Sequence, residues 1–408
     1  MSKVYKFAVV GRGLMGSAAA RHLANMTDGV VAIGPSEPQD RKAHHGVFAS
    51  HYDEGRITRT IDPDPVWAML AKNSIARYRE IETATGISFY GEVGSLLTGP
   101  GVGAQRAYIA DTRAAAIKAD VPTLDLDGAG LRDKFPWFNF PDGTAGVFEP
   151  KGAGYISPRR LVGAQSALAE RAGAEIIDSA VESVRQQGGH CIIATASGDE
   201  LHAETVLVAA GGFSIQKSLL PRPVEMKVYA RTVVFFEVSE ADAQAMAAMP
   251  SMINKAERDA DDTYMLPPIR YPDGRWYLKI GGEPDDLALD GEALGDWFRS
   301  EGRPSAIAHL KARMASLVPG LKPISITSAP CITSYTASGY PAIGWLYPGR
   351  IAVVTGGCGA AAKSSDEIGR LGAELVYEGR ISSNPDAALF TPVFAAGTFR
   401  LVTADVPR

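Results

Sequence analysis

The residues in this chain with most capacity for chemistry are a few cations and thiols. In "ASHYDEGRITRTID", Ala49 to Asp62, Arg56 and Arg59 stand three apart. In a helix that spacing is one turn, so both guanidinium groups could face one small anion, or simply line a solvated face. Strand alternation in "WYLKIGG" places Tyr277 and Lys279 on one side, where Lys279 is either an edge lysine in water or a fixed cation. The thiols are Cys191, Cys331 and Cys358. They are too few and too scattered for a disulfide framework, and no spacing suits zinc. Cys191 lies in the apolar run "CIIATA" and reads as core, whereas Cys331 opens a stretch of small and hydroxyl residues, "CITSYTASGYPAIGW".

The elements that must position these groups begin with "YKFAVVGRGLMGSAAARHLANM". An apolar strand, Phe7 to Val10, runs into a G-x-G-x-x-G turn at Gly11, Gly13 and Gly16, and Leu14 and Met15 open the helix that follows. Gly11 permits the tight turn, Gly13 admits a pyrophosphate to the backbone, and Gly16 lets helix and strand pack closely. Free N–H groups at the helix start favour phosphate. The next strand, in "GVVAIGPSEP", ends at Gly34 where a ribose-binding acid is expected. Ser36 and Glu37 are the economical substitutes. Arg41 and Lys42 keep an NADP-type phosphate site open. Strands ending in glycine turns recur at Gly211, in "VLVAAGGFS", and at 356, where "GGCGAAAK" contains Gly357, Cys358, Gly359 and Lys363. One extended ligand crossing several strand ends of an open sheet accounts for all three.

Composition narrows the partners. The chain has 408 residues, 46% hydrophobic and 21% charged, with 41 Lys plus Arg against 46 Asp plus Glu. These are the proportions of an ordinary globular protein, and no run of one sign marks a nucleic-acid or anionic membrane surface. Small molecules are the expected partners. The opening "MSKVYKFAVVGRG" lacks an apolar stretch long enough for a signal peptide or membrane span, which predicts a cytoplasmic protein, monomeric or a small homo-oligomer.

Together, these segments resemble the D-amino-acid oxidase superfamily of flavoproteins, above all the monomeric sarcosine oxidase branch with its N-methyl amino acid oxidase relatives. "SHYDEGRITR" is similar to the branch's Ser-His segment ending R-x-x-R, "VLVAAGGFS" to its A-x-G-x-(W/S) strand, and "YLKIGG" to its L-K-(L/I)-G strand. "CITSYTASGYPAIG" matches its C-x-x-x-x-T-x-x-G-x-P-x-I-G stretch, and "GCGAAAK" its final glycine turn and lysine. The order is kept over nearly the whole chain. The resemblance implies FAD, attached through Cys331 to the 8α-methyl of the ring, with Cys358 the one competing thiol. It implies that Arg56 lies against the ring and that Ser50, His51, Val181 and Gly211 also bind the cofactor. Arg59 and Lys363 would converge on a substrate carboxylate, Tyr264 would line the pocket, and Lys279 would stand over the flavin where oxygen is reduced. Glu283 replaces a histidine of the branch, which suggests a substrate with a cationic or hydrogen-donating group and makes sarcosine itself doubtful.

The expected architecture is α/β: a doubly wound FAD-binding domain (1–88, 150–220 and 322–395) with an interleaved mixed-sheet substrate domain (89–149 and 221–321). The expected activity is oxidation of the C–N bond of an amino acid, preferentially a secondary, N-substituted one, to an imine, with molecular oxygen as acceptor and hydrogen peroxide as product. Other readings remain at this point: a flavin dehydrogenase with another acceptor, a nicotinamide-dependent dehydrogenase, and a flavin-binding partner subunit without turnover.

Overall fold

The computed structural model describes residues 3–103 and 106–395. Its first sheet is built on the strand Val4–Val10, whose C-terminal half is buried on both faces, as the continuous apolar run requires. Val4–Val10 pairs in parallel with Val30–Ile33 on one side and Glu200–Val208 on the other. Glu175–Ile177 and Ile351–Thr355 extend the parallel set outward from those two neighbours. The chain therefore leaves the central strand in both directions, and the crevice at its carboxyl end is the switch point of a doubly wound sheet. The helix Leu14–Met26 covers this sheet with Pro158–Arg171 and Ala361–Glu378, through alanines, Leu23 and Leu371 that are buried outright.

The second sheet is mixed and nine-stranded. Its centre is Met226–Val238, paired antiparallel with Trp276–Gly281. Thr263–Arg270 follows, then Ser251–Asn254, which runs parallel to Ser95–Pro100. Ser325–Thr336, grouped by sequence with the nucleotide segments, instead hydrogen-bonds along its whole length to Met226–Val238. This strand carries Cys331, so the thiol reaches the cavity from the second sheet. A small third sheet joins Arg56–Thr58, Tyr90–Gly91 and Gly154–Ile156 between the two. The helical spacing considered for the two arginines is not realised: Arg56 begins a strand and Arg59 lies just beyond it. Among the described residues no helix is long and apolar enough to cross a membrane, and no His/Cys/Asp/Glu cluster could hold a metal ion.

Candidate active site

A cavity of about 720 Å³ runs from the carboxyl end of Val4–Val10 to the underside of the second sheet, within the range of cofactor sites. Four features fit its nucleotide end to a dinucleotide. Gly11 has φ +102°, and a Cβ there would stand 2.4 Å from Ala209 O, while Gly16 would place one 1.8 Å from Gly11 O. By contrast, a Cβ on Gly13 would meet nothing closer than His51 Nδ1 at 3.8 Å, so this part of the turn is open to a ligand. The helices Pro65–Thr85 and Pro158–Arg171 are capped by Asp64 and Ser157, whereas Leu14–Met26 and Ala361–Glu378 have no side-chain cap. Gly13 and Ala360, at the starts of those uncapped helices, both line the cavity, leaving N–H groups and a positive dipole end for an anion. Finally, Arg12 Nε, His51 Nδ1 and Thr333 Oγ1 are buried without a hydrogen-bond partner, and all three residues line the cavity.

Most of the residues singled out from sequence meet here. Gly11, Gly13, Leu14, Met15, Ser50, His51, Arg56, Arg59, Val181, Gly211, Tyr264, Glu283, Cys331, Gly357, Gly359 and Lys363 all line the cavity. Gly16 lies behind the turn as a packing glycine. Ser36 and Glu37 do not reach the cavity. Ser36 donates to Asp178, and Glu37 takes a two-pronged contact from Arg159 at 2.6 and 2.8 Å. Arg41 and Lys42 are spent on Glu301 and nearby carbonyls, and neither lines the cavity to meet an NADP-type phosphate. Where the ribose acid was expected, Arg12 donates to Gly34 O at 2.9 Å. A Cβ on Gly34 would come within 2.9 Å of Arg12 N.

The two thiols differ. Cys331 Sγ lies 3.5 Å from Arg56 Nη2, its carbonyl accepts from Trp297 Nε1 at 2.7 Å, and it sits in register with Arg231, another cavity residue. Cys358 has φ +46° and does not line the cavity, and its backbone N–H donates to Ser334 O at 2.7 Å. Burial pushes its thiol up from the ordinary value.

The cations are held by acids that sequence reasoning did not select. Arg59 Nη1 and Lys363 Nζ donate to the same Asp62 oxygen, at 2.9 and 3.1 Å. Burial, with the neighbouring Arg59 charge, lowers Lys363 to about 8. Burial would raise Asp62, but the two cations outweigh it and hold the carboxyl below its usual range. Glu149 fixes this turn by accepting from the Thr60 and Ile61 amides. Lys279 is 1% exposed and lies one layer behind the wall, its Nζ 5.9 Å from the Tyr264 ring centroid. It donates to Asp53 and to Gly55 O. Asp53 also takes Arg56, Tyr271 Oη at 2.7 Å and the Glu54 amide. The signal for Asp53 and Asp62 was present in "SHYDEGRITRTID", because an acid three residues before Arg56 and another three after Arg59 are spaced to pair locally.

Glu283 is not free to read a substrate cation. One oxygen accepts from the Thr232 amide and the other from Arg303 Nη2 at 2.7 Å. His51 is neutral, its pKa pushed down to about 3 by burial and by Arg159, Arg12 and Arg56. Burial pushes Tyr264 up to about 12, so its phenol keeps its proton.

A family model described as "DAO: FAD dependent oxidoreductase" matches residues 6–375. The chain is 25% identical over 401 residues to a monomeric sarcosine oxidase of Bacillus sp. (strain NS-129), covering 96% of this chain and 97% of that one. It is 26% identical over 225 residues to an N-methyl-L-tryptophan oxidase of Yersinia pestis (strain Pestoides F), covering 54% and 57%. The open form of NikD, an unusual amino acid oxidase essential for nikkomycin biosynthesis, shares the fold with a TM-score of 0.78 at 18% identity, covering 97% and 99%.

Proposed function

The chain belongs to the FAD-dependent oxidoreductase family whose model spans residues 6–375, and from that premise we propose that it oxidises the C–N bond of an amino acid, preferentially an N-substituted one. The observation that carries this reading is the convergence of Arg59 and Lys363 on one carboxylate at the cavity wall. The two cations share one Asp62 oxygen and keep further N–H donors for a second, incoming carboxylate, with Arg59 as a planar fork and Lys363 as a point charge. The sarcosine oxidase and N-methyltryptophan oxidase names of the relatives point to the same class.

In this reading the first-sheet segments hold the cofactor and the second sheet roofs the substrate. The uncapped ends of Leu14–Met26 and Ala361–Glu378 take negative charge from the cofactor. Neutral His51 offers its free Nδ1 without adding charge. Cys331, beside Arg56, is the proposed covalent anchor. When bound, FAD supplies a ring that accepts a hydride equivalent and passes two electrons on. Arg59 and Lys363 fix one end of the substrate, so that its C–N bond is presented in one orientation. The Tyr264 hydroxyl, which has no partner among the described residues, offers the amine a hydrogen bond. Lys279 supplies a fixed cation for the return of electrons to oxygen, where the first electron creates superoxide and the second, with two protons, hydrogen peroxide.

Peroxide release from a panel of N-methyl amino acids, with the corresponding N-methylamines as controls, tests the reading. Turnover confined to substrates with the carboxylate supports it. A yellow protein that turns over none of them removes it.

A further inference from the structure

Lys279 is a buried ammonium with one acid in contact. Facing it are Asp53 and Arg56 from the segment leading into Arg56–Thr58, Tyr264 and Leu266 from Thr263–Arg270, and Tyr271 just beyond. Phe235 of Met226–Val238 lies opposite it in register, and Cys331 approaches from Ser325–Thr336. Among the described residues, Asp53 is the only carboxylate within ion-pair distance. Burial first and then the Arg56 guanidinium press the amine well below its ordinary value, with Cys331 a smaller influence in the other direction, so the ammonium depends on its direct contact with Asp53.

Asp53 is unusually well anchored. Its Oδ1 accepts from Tyr271 Oη at 2.7 Å and from the Glu54 and Gly55 amides at 2.8 and 3.4 Å, leaving Oδ2 for Lys279 and Arg56. A carboxylate with three donors on one oxygen and two cations on the other is strongly held in its ionised form. A second N–H of Lys279 donates to Gly55 O, so its position is fixed by the same short segment.

We propose that Asp53 is a positioning residue whose carboxylate keeps Lys279 protonated, so that a fixed positive charge stands behind the Tyr264 wall of the cavity throughout turnover. This rests on the reading above only for the use made of that charge in the oxygen step. The charge itself is a property of the buried pair. Removing the acid does not expose a stronger cation. It leaves a buried lysine beside an arginine, which gives up its proton.

The test uses the holoenzyme in four forms: wild type, Asp53→Asn, Lys279→Met and the double variant. The visible absorption and reduction potential of the bound flavin, followed between about pH 6 and 9, report a nearby change of charge whether or not oxygen is the acceptor. Asp53→Asn is expected to show a titration step absent from wild type and from the double variant. Reoxidation by oxygen in the same variant is expected to be slowed on the order of tenfold or more at the alkaline end and to recover on acidification, while Lys279→Met stays slow and flat. An Asp53→Asn protein without the extra step overturns the proposal. If the spectral step appears but Lys279→Met reoxidises like wild type, the Asp53 claim stands and the oxygen role of Lys279 falls. Should Asp53→Asn not fold, wild type against Lys279→Met decides. A constant difference in flavin potential across that range supports the proposal, and a difference that vanishes as pH rises overturns it.

Discussion

Arg59 and Lys363, from opposite ends of the chain, donate to a single oxygen of Asp62. This turns the proposed carboxylate grip into a titratable one. Lys363 is lowered from 10.5 to about 8 by burial first and Arg59 second. Its ammonium is present below that pH and lost above it, so binding of substrate or carboxylate inhibitors is expected to weaken as pH rises through about 8. For folding, the unfolded chain binds the extra proton between about 8 and 10.5, so this group's contribution to stability rises with pH over that window. Inhibitor titration across pH checks the first expectation. Asp62→Asn should shift the break to lower pH, and an unmoved break would separate Lys363 from the effect. Arg59→Ala should weaken binding on the order of a hundredfold, because it deletes the planar fork and leaves Lys363 already paired with Asp62, with no spare cation for the incoming carboxylate.

The thiols make a contrasting pair. Cys331→Ser should release all flavin on acid precipitation, whereas Cys358→Ser should retain the linkage, because Cys358 points off the cavity wall. Flavin absorbance in the supernatant of denatured protein distinguishes them. Release from the wild type would contradict covalent attachment altogether.

Gly34 tests the nucleotide end. Restoring the expected acid by Gly34→Asp drives a Cβ to 2.9 Å from Arg12 N. The variant should therefore hold FAD less tightly rather than gain a ribose contact. The dissociation constant is best measured in the Cys331→Ser background, where FAD can leave. Tighter binding would mean that Arg12 yields readily.

Glu283 was read from sequence as a substrate contact, and the structure directs both its oxygens into the protein. Glu283→Gln is expected to cost roughly 1–3 kcal/mol of stability through the loss of a charged partner for Arg303. The ranking of cationic against neutral substrates should not change. Thermal denaturation and the substrate panel measure these separately, and a changed ranking with unchanged Tm would restore the sequence reading.

Much of this is legible in the sequence. The glycine turns at Gly11, Gly211 and Gly356 announce themselves because backbone approach to a ligand demands glycine. The buried strand Val4–Val10 is plain from its unbroken apolar end. The acids were only partly legible. Asp53 and Asp62 are spaced to pair with Arg56 and Arg59, but Glu149 has no local signal, and only the fold shows that each of the three closes a buried network. Ser36 and Glu37 failed for a related reason: their partners Asp178 and Arg159 lie far along the chain, and nothing local betrays them.

The account stands most directly on an air-free experiment. Purified yellow protein is mixed anaerobically with N-methyl amino acids, and the flavin absorbance is followed by stopped flow. Bleaching by at least one amino acid is expected, with no bleaching by the matching amine that lacks the carboxylate. Absorbance that survives every amino acid, or bleaching by the amine at the same rate, would contradict the proposed function.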